Sequence, residues 1–537
     1  MPGLVPAGGR GVVVTPHGAS TSAAVETLAA GGNAVDAAIA ACAVQGVVAP
    51  HTCGIGGDLF ALVHRPGEAR PLALNASGRA GSGVDATALR AAGHTTIPRD
   101  HPAAIPVPGC VDGWAELVTR HSRLDLSDVL GPAIRLAEHG FPADRDLVTA
   151  VDARRAELSA HEAAAPLLGR PGTLIRRPQL AATLRAVARD GRDAFYDGPV
   201  ARAITSATGG VISPDDLRRR QADWQDPLAV DVWGRTAWTM APNSQGYLAT
   251  GACAVLERLA GQPDLDDPLT WHLAIEAYRA LAAEREFLVA DPDQVPVDVA
   301  TLLAAERLDA VADTVDPRRA RARPEPVPAA GGTAYLCVLD GEGMGVSLIQ
   351  SNFSGFGSGI GVGSAGFLLH DRGRGFTLEP GRANELAPGK RPLHTLSPTL
   401  WTRDGRLSAL LGTRGGHEQP QLLLQVAAAL LGAAPDVGAA DVGAAADPAA
   451  ADPASAQARP RWTVDVPAAG LRGSHVRIEA DAPDAVRAEL SRLGHDVAVV
   501  PPRQPGWGPV SVISATADNT YTGAADPRVS TTAVAVC

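Results

Sequence analysis

The sequence has little lysine, little cysteine and few aromatic residues, and these scarcities restrict what the protein can be. Lys390 is the only lysine, so arginine supplies almost all of the 47 basic residues, which face 58 acidic ones. The net charge of −11 argues against a protein that binds nucleic acid. The 6 cysteines stand singly, mostly among apolar neighbours, which is typical of buried, reduced thiols and not of a disulfide framework.

Long hydrophobic runs are missing as well. The most apolar window, residues 34–49, is interrupted by Asp36, Gln45 and Gly46 and is shorter than the ~20 apolar residues that span a bilayer. Residues 1–15 contain neither a basic segment followed by a long apolar run nor a small-residue cleavage site, so no secretion signal is visible. We therefore expect a cytoplasmic protein without membrane contact.

The chain does contain alternating helical and strand patterns. With 537 residues, 45% of them hydrophobic and 20% charged, it can bury a large core. Apolar residues at helical spacing predict helices over 20–30, 34–47, 126–138, 178–190, 269–289 and 419–431. Short apolar runs predict strands over 11–15, 59–64, 334–339, 345–351, 407–412 and 510–513. The predicted fold class is therefore α/β.

One stretch lacks the apolar residues that a folded segment needs. Residues 432–459 repeat Ala, Asp, Pro and Gly with almost no large apolar side chains. Such a segment cannot offset the entropy that is lost when it becomes ordered. We therefore predict a flexible surface insertion over 432–459.

The most informative segment begins at Gly331-Gly332-Thr333, where two glycines deliver a threonine to an apolar strand deep inside the chain. A threonine in this setting is most often a turn residue that leads into a strand. If the preceding peptide bond were cut, however, Thr333 would carry both a hydroxyl nucleophile and an amine able to accept its proton. The segment thus allows two interpretations, a structural turn or the nucleophile of a self-cleaving acyl-transfer enzyme.

Other short motifs do not fit the chemistry that they suggest. Residues 361–366 match a dinucleotide-binding pattern, but more glycine precedes them and a strand-like segment, instead of a helix, follows. The His-Glu pairs at 161–162 and 417–418 begin like a zinc-protease helix and lack its second histidine. We therefore predict neither a cofactor nor a metal site.

Ordered motifs along nearly the whole chain favour the catalytic interpretation. They lie at 30–38, 48–51, 54–60, 107–114, 132–137, 193–198, 242–246, 388–393, 415–416 and 525–528. In this order they resemble the γ-glutamyltransferase (γ-glutamyltranspeptidase) family of N-terminal-nucleophile hydrolases. The resemblance implies a four-layer αββα sandwich. It also implies a precursor that cuts itself into a large subunit, 1–332, and a small subunit, 333–537, which stay together as one intertwined fold. A dimer of such heterodimers is compatible with the family.

The resemblance also implies catalytic roles. Thr333 matches the nucleophile, and its free α-amine, which would titrate near pH ~8, matches the general base. Ser351 matches a hydroxyl residue that hydrogen-bonds the nucleophile, although an ordinary strand-end serine would look the same. Gly415 and Gly416 match the pair whose backbone N–H groups form the oxyanion hole, because glycine lets the backbone approach a substrate carbonyl.

The substrate-binding positions depart from the family pattern. Ser77 stands where γ-glutamyltransferases have an arginine for the α-carboxylate, and Gly375 stands where they have an aspartate for the α-amine. His394-Thr395 replaces the serine pair of the family. A site without a carboxylate cannot compensate for the desolvation of a substrate ammonium group. Free γ-glutamyl amides are therefore doubtful substrates.

A carboxylate without an α-amine suits the residues that are present. Arg79, two residues after Ser77, could bind a carboxylate through both of its terminal nitrogens, and Arg374 and Arg414 are further candidates. The Ser-Gly-Arg segment and the Asn-Phe-x-Gly-Phe-Gly-Ser-Gly segment that begins at Asn352 resemble the oxamate amidohydrolase-like branch of the family. We therefore include Asn352 among the substrate-binding residues.

Three functions stay open from the sequence. The first is an N-terminal-threonine amidohydrolase or acyltransferase for γ-glutamyl or related small, carboxylate-bearing acyl donors. The second keeps the nucleophile and gives it an unusual substrate, an oxamate-type amide or an activated ketone whose carbon–carbon bond is hydrolysed in a specialised biosynthetic pathway. The third is an uncleaved relative without catalytic activity. A small-molecule substrate, and no nucleic acid, is the expected partner.

Overall fold

The computed structural model describes residues 3–4, 9, 11–321, 332–432, 452–464, 475–516 and 520–537. Within these ranges, none of the helices combines the length and the apolar character that a membrane span requires. The strands, numbered along the chain, are β1 (Gly3–Leu4), β2 (Gly11–Thr15), β3 (Asp58–His64), β4 (Leu72–Ala76), β5 (Phe141–Pro142), β6 (Leu174–Ile175), β7 (Asp223–Gln225), β8 (Leu228–Val232), β9 (Arg235–Thr239), β10 (Gly332–Asp340), β11 (Gly345–Phe353), β12 (Gly361–Val362), β13 (Phe367–Leu368), β14 (Thr399–Arg403), β15 (Arg406–Thr413), β16 (Trp462–Val464), β17 (Val476–Glu479), β18 (Val497–Val500), β19 (Val510–Ala515), β20 (Tyr521–Ala524) and β21 (Ala533–Val536).

The helices of the described residues are numbered in the same way. They are α1 (Gly18–Ala29), α2 (Ala34–Val48), α3 (Ala86–Ala91), α4 (Cys110–His121), α5 (Leu126–His139), α6 (Arg145–Asp152), α7 (Arg155–Leu158), α8 (Pro178–Asp190), α9 (Asp193–Tyr196), α10 (Pro199–Ala207), α11 (Pro214–Arg218), α12 (Tyr247–Ala260), α13 (Pro268–Ala282), α14 (Arg285–Leu288), α15 (Ala305–Asp313), α16 (Gln419–Ala427), α17 (Pro453–Ala458) and α18 (Asp484–Arg492).

Two seven-stranded antiparallel sheets form the centre of the fold. One has the order β21-β2-β10-β11-β3-β4-β7, and the other has the order β1-β20-β19-β15-β14-β9-β8. β10 and β11 pair in the middle of the first sheet, with β2 beside β10 and β3 beside β11. Strands from before and after Thr333 are therefore neighbours in one sheet.

Apolar side chains occupy both faces of the central strands, as alternation along a strand requires. Tyr335 and Cys337 of β10 belong to one buried cluster with Leu400, Leu410 and Ile513 of the second sheet. The opposite face of the first sheet packs against α1 and α2, and that of the second sheet packs against α12 and α16. The structure is thus a mixed α/β fold with antiparallel sheets.

Helix α2 illustrates why the sequence folds in this way. The Asn33 side chain caps the first turn by accepting hydrogen bonds from the N–H groups of Val35 and Asp36. The Asp36 carboxylate in return accepts a hydrogen bond from the Asn33 N–H. This reciprocal cap is a strong helix-start signal. All 15 residues of α2 are buried, so the helix is covered on every side and packs within the core. Both observations agree with the prediction over 34–47.

Two predicted helices end earlier than the sequence suggests. The helix predicted over 269–289 is divided into α13 and α14, because the Glu284 N–H bonds the Leu281 carbonyl in a tight turn. The helix predicted over 419–431 is α-helical only through Ala427 and continues as a π-helical turn over Ala428–Gly432. Apolar periodicity does not distinguish these turns from a continuous helix.

The predicted insertion is described only at its ends. Residues 433–451 lie outside the described residues. Residues 452–459 contain α17, and the buried Gln457 side chain donates hydrogen bonds to the carbonyls of Val510 and Ala524. The carboxyl-terminal boundary of the predicted flexible segment therefore needs correction, because this helix is held by the second sheet.

Five of the 6 cysteines are buried and form no disulfide, and Cys537 is partly exposed.

Candidate active site

Thr333 and Ser351 face each other across the first sheet. Thr333 is the second residue of β10 and pairs in register with Ser351 of β11. Opposed residues on antiparallel strands share a face, so both hydroxyls point between the two sheets. The two side-chain oxygens are 3.0 Å apart, and both residues are buried.

The Ser351 hydroxyl also contacts the peptide group before Thr333. It donates a hydrogen bond to the Gly332 carbonyl oxygen and accepts one, 2.8 Å long, from the Phe353 N–H. A serine hydroxyl has a single proton to donate. Since that proton goes to Gly332, the Thr333 hydroxyl is the donor in the pair with Ser351. One serine thus touches both the candidate nucleophile and the carbonyl that precedes it.

The space around Gly332 excludes a side chain. A Cβ added to Gly332 would lie 2.5 Å from the Ser354 carbonyl oxygen and 3.0 Å from the Gly355 nitrogen. The pairing of β10 with β11 is irregular between Gly332 and Thr333, which indicates a local bulge. Glycine is therefore required by sterics at this position. Gly331, the other glycine of the motif, lies outside the described residues.

The contacts of β15 show where the glycine pair at 415–416 lies. Leu407 packs against Gly345 at the start of β11, and Gly412 packs against the ring of Tyr335, which pairs with Ile349 farther along β11. β15 therefore runs in the same direction as β11. The residues that follow β15 lie at the end of the sheets where the two hydroxyls meet.

The backbone of the glycine pair is suited to donate hydrogen bonds. Gly415 has φ +127° and Gly416 has φ +57°, conformations that favour glycine. Among the described residues, neither N–H group has a hydrogen-bonded acceptor. Gln245 fixes the pair from behind, because its Nε2 donates to the carbonyl oxygens of Gly416 and Thr395, each at 3.1 Å. Two unused N–H groups are what an oxyanion site requires.

Asp58 is the centre of a buried charge cluster that the sequence analysis missed. It pairs with Ser351 from the other side, on β3, and is fully buried. Its carboxylate lies 2.7 Å from Arg372 Nε, 3.1 Å from His394 Nε2 and 3.3 Å from His370 Nδ1. Burial alone would raise the pKa of Asp58, but Arg372 and His394 outweigh it and hold that pKa well below its usual range.

The same cluster explains the positions of His394 and Thr395. Burial and the neighbouring Arg372 lower the pKa of His394 to about 3, so its imidazole is neutral at neutral pH. Arg372 Nη1 donates a 3.0 Å hydrogen bond to Thr395 Oγ1. These two predicted substrate-binding residues are thus tied to Asp58. An acidic residue at the start of an apolar strand, within the motif at 54–60, was the signal that could have identified Asp58.

Asn352 does not share the face of Ser351. It is the next residue along β11, so its side chain lies on the opposite face of the sheet. Its Nδ2 donates to the Pro50 carbonyl oxygen at 3.2 Å. The structure therefore does not bring Asn352 to the two hydroxyls, which corrects its grouping with the substrate-binding residues.

Arg79 is occupied by carboxylates of the protein itself. Its guanidinium lies 3.1 Å from Asp293, 3.2 Å from Asp223 and 3.5 Å from Asp291. Because three aspartates already neutralise the charge of this buried arginine, it is poorly suited to bind a substrate carboxylate. The expectation that Arg79 holds the acyl donor is therefore corrected.

Ser77 lies in a neighbouring polar cluster. Its hydroxyl accepts hydrogen bonds from Arg391 Nη1 at 2.9 Å and from Asn243 Nδ2 at 3.3 Å, and the residue is fully buried. Arg391 is itself paired with Asp223. Ser77 thus accepts a hydrogen bond from an arginine that is distant in the sequence, a contact that sequence spacing could not indicate.

One group of potential metal ligands occurs in the described residues, with two members on α13 and one between α18 and β18. Atoms of His272, Glu276 and His495 lie within 4.8 Å of one another. His272 Nδ1 and His495 Nε2 are 2.8 Å apart, a hydrogen-bond distance, and Arg279 Nη1 lies 3.3 Å from His495 Nδ1. A chain of hydrogen bonds beside a guanidinium fits this geometry, and we assign no metal to it.

Comparisons with known proteins identify the family of the chain. The chain matches the family model described as gamma-glutamyltranspeptidase over residues 20–536. It is 35% identical over 541 residues to the oxamate amidohydrolase proenzyme of Klebsiella pneumoniae, with 97% of each protein covered. It is 32% identical over 540 residues to the glutathione hydrolase-like YwrD proenzyme of Bacillus subtilis, covering 98% of this chain and 99% of that protein. The crystal structure of cephalosporin acylase from Bacillus halodurans has a TM-score of 0.87 at 30% identity and covers 100% of this chain and 96% of its own. The chain is therefore an enzyme of the gamma-glutamyltranspeptidase family.

Proposed function

We propose that the protein is a self-cleaving amidohydrolase or acyltransferase with Thr333 as its nucleophile and with small, carboxylate-bearing acyl donors of the oxamate type as its substrates. The observation that carries this proposal is the contact of one hydroxyl, that of Ser351, with both Thr333 Oγ1 and the Gly332 carbonyl oxygen. Relatives named as proenzymes support processing of the precursor.

Self-cleavage follows from this contact. The Thr333 oxygen attacks the Gly332 carbonyl carbon, and the hydrogen bond from Ser351 stabilises the negative charge that develops on the carbonyl oxygen. The C–N bond then breaks, its nitrogen takes the hydroxyl proton, and an ester joins Gly332 to the threonine oxygen. Water hydrolyses the ester, which leaves a Gly332 carboxylate and a free Thr333 amine and hydroxyl.

Turnover would use the groups that cleavage releases. The free amine, with a pKa near ~8, takes the proton of the Thr333 hydroxyl as the oxygen attacks the donor carbonyl. The N–H groups of Gly415 and Gly416 hold the oxyanion, and the amine of the donor leaves with the transferred proton. Water, or an acceptor amine, then attacks the acyl-enzyme and restores the threonine.

We propose a four-layer αββα sandwich for the whole molecule, in which the two subunits stay together after cleavage. The clusters on the outer faces of both sheets and the cluster between them support the layers. β10 and β11 of the small subunit lie between β2 and β3 of the large one, which supports lasting association. Assembly into a dimer of heterodimers stays a prediction.

The choice of donor rests on charge. The carboxylates of Asp58 and Asp371 lie beside the site, and each is buried and paired with arginine. Neither is free to bind the ammonium group of a γ-glutamyl donor. A buried cation without a partner is strongly disfavoured, so a γ-glutamyl donor would lose free energy when its ammonium group is desolvated. A donor with a carboxylate and no α-amine avoids this desolvation cost.

The test compares kcat/KM for oxamate, a glutaryl anilide and the matching γ-glutamyl anilide. We expect the γ-glutamyl compound to be the poorest donor, by roughly 10-fold or more for one lost charge-assisted contact. A clear preference for the γ-glutamyl anilide would refute the proposed donor class. Failure to hydrolyse any amide, with release of product from an activated ketone, would favour carbon–carbon bond hydrolysis by the same nucleophile.

A further inference from the structure

Most arginines around the candidate site already have a carboxylate partner. These are Arg79 with three aspartates, Arg372 with Asp58, Arg391 with Asp223, and Arg99 and Arg374 with Asp371. Arg414 differs from all of them. No carboxylate oxygen lies within 4.0 Å of its guanidinium among the described residues, so none of them provides a close counter-ion for its charge.

The Arg414 side chain is held in place without being neutralised. Nε donates to the Gly508 carbonyl oxygen, and Nη2 donates to the Pro505 carbonyl oxygen at 3.0 Å. Among the described residues, Nη1 has no hydrogen-bonded acceptor. Burial lowers the pKa of Arg414, and the more distant Asp146 and Asp526 raise it. A positioned, partly buried cation with one unused N–H group is suited to bind an anion.

Arg414 also lies where a small substrate would need a cation. It directly precedes Gly415 and Gly416, the proposed oxyanion donors. The charge of Arg414 acts on the pKa of His51. The His51 carbonyl oxygen in turn accepts the Phe356 N–H at 3.3 Å, next to the 354–355 segment that packs on Gly332.

His51 supplies a second unused polar atom. Its Nδ1 is buried and has no hydrogen-bond partner. Burial and the neighbouring Arg414 lower the pKa of His51 to about 4, so the imidazole is neutral at neutral pH and can carry a proton on that nitrogen. The other charged groups that act on His51 are Asp144 and His17, whose side chains are 3.2 Å apart and bond each other.

We propose that Arg414, together with His51, binds the carboxylate of the acyl donor. This inference rests on the proposed function and names the residues that would select its substrate. In an oxamate-type amide the carboxylate is bonded directly to the reacting carbonyl carbon, so its binding group must lie beside the oxyanion donors. Arg414 meets this requirement because it directly precedes the two glycines in the chain. Arg79 does not meet it, because its guanidinium is already paired with three aspartates.

The experiment uses the purified wild type, Arg414→Gln and a matched control, Arg406→Gln, which removes an exposed arginine from the other end of β15. Three quantities are measured for each protein. They are the extent of self-cleavage on a denaturing gel, kcat/KM for oxamate and for its neutral analogue oxamide, and the Kd of oxalate by calorimetry. His51→Gln, which leaves the hydrogen bonds of Arg414 in place, provides a second variant should Arg414→Gln fail to fold.

We expect Arg414→Gln to cleave itself and to lose roughly 10- to 100-fold in oxalate affinity and in kcat/KM for oxamate. Its kcat/KM for oxamide should change little, as should every property of Arg406→Gln. Oxalate that binds wild type and Arg414→Gln equally, or that does not bind the wild type, overturns the inference. An equal loss in Arg406→Gln overturns it too, because a general charge effect would explain both.

The same measurements separate this inference from the function on which it rests. A wild type that binds oxalate through Arg414 and hydrolyses neither donor would refute the proposed donor class and support the anion site. Oxamate hydrolysis that is unchanged in Arg414→Gln would support the proposed function and refute the anion site.

Discussion

The Ser351 hydroxyl lies 3.0 Å from Thr333 Oγ1 and bonds the carbonyl oxygen of the peptide that precedes Thr333. Replacement of Ser351 tests whether this contact drives cleavage. In Ser351→Ala the developing oxyanion loses a hydrogen bond, so self-cleavage should slow by roughly 10- to 100-fold. A time course on denaturing gels measures the rate.

Ser351→Thr, which keeps the hydroxyl, serves as the control and should cleave at a rate near that of the wild type. Equal cleavage rates in Ser351→Ala and the wild type would show that this serine is only a structural strand-end residue.

Gly332→Ala tests the steric requirement before the proposed nucleophile, Thr333. The new methyl group would lie 2.5 Å from the Ser354 carbonyl oxygen, so the peptide must shift away from Thr333. Overpacking of this kind costs about 1–3 kcal/mol, and we expect slow or absent cleavage. The matched control is Gly18→Ala, at a position with no atom within 4 Å of the added Cβ. Rapid cleavage of a well-folded Gly332→Ala protein would contradict the inferred geometry.

Gly416→Val tests the proposed oxyanion donors. Valine is strained at φ +57° and would move the N–H group, and loss of one such donor typically costs ~2.7–4 kcal/mol of transition-state stabilisation. Turnover should therefore fall by roughly 100-fold or more. Gly405→Val, in the β14–β15 turn with φ +73°, imposes a similar backbone strain far from the site. Circular dichroism checks that both variants fold. Similar losses in turnover in the two variants would remove Gly416 from the mechanism.

The pKa of His394 predicts how stability depends on pH. The pKa of His394 is about 3 in the folded protein and 6.5 in the unfolded chain. Between these pH values the His394 imidazole is protonated only in the unfolded chain. Stability is therefore lost as the pH falls from 6.5 towards 3, by up to ~1.4 kcal/mol per pH unit. Asp58, whose folded pKa is also depressed, acts in the same direction below its unfolded pKa.

The measurement uses the Thr333→Ala precursor as a single chain, with thermal unfolding at pH 7 and pH 4.5. His394→Gln in this background should show a smaller loss on acidification, whereas His139→Gln, which changes an exposed histidine, should behave like its parent. If His394→Gln does not reduce the pH dependence, the buried, neutral state of His394 is wrong.

Local patterns in the sequence were enough for the central strands, whereas the contact between Thr333 and Ser351 was expected only from the family resemblance. The cap of α2 and the short apolar runs of β10 and β11 depend on neighbouring residues only, so a sequence reveals them. Alternation along β11 would also have separated Asn352 from Ser351, because adjacent residues of a strand face opposite sides. The family resemblance outweighed that rule in the sequence analysis.

The charge clusters could not be predicted in the same way. Arg79 meets aspartates that are 144 and 214 residues away in the chain, and Asp58 meets Arg372 314 residues away. No sequence spacing encodes such contacts. These contacts determine which arginines still lack a carboxylate partner. Arg79 is therefore unsuited to bind the substrate carboxylate, and Arg414 is the better candidate for that role.

The most direct test of the account is mass spectrometry and N-terminal sequencing of the purified protein. We predict two chains, residues 1–332 and 333–537, that co-purify, with Thr333 as the first residue of the second chain. Thr333→Ala should remain a single chain and hydrolyse no donor. A wild type that stays uncut and still turns over an amide, or a cut at another peptide bond, would contradict the assignment of Thr333 as the nucleophile.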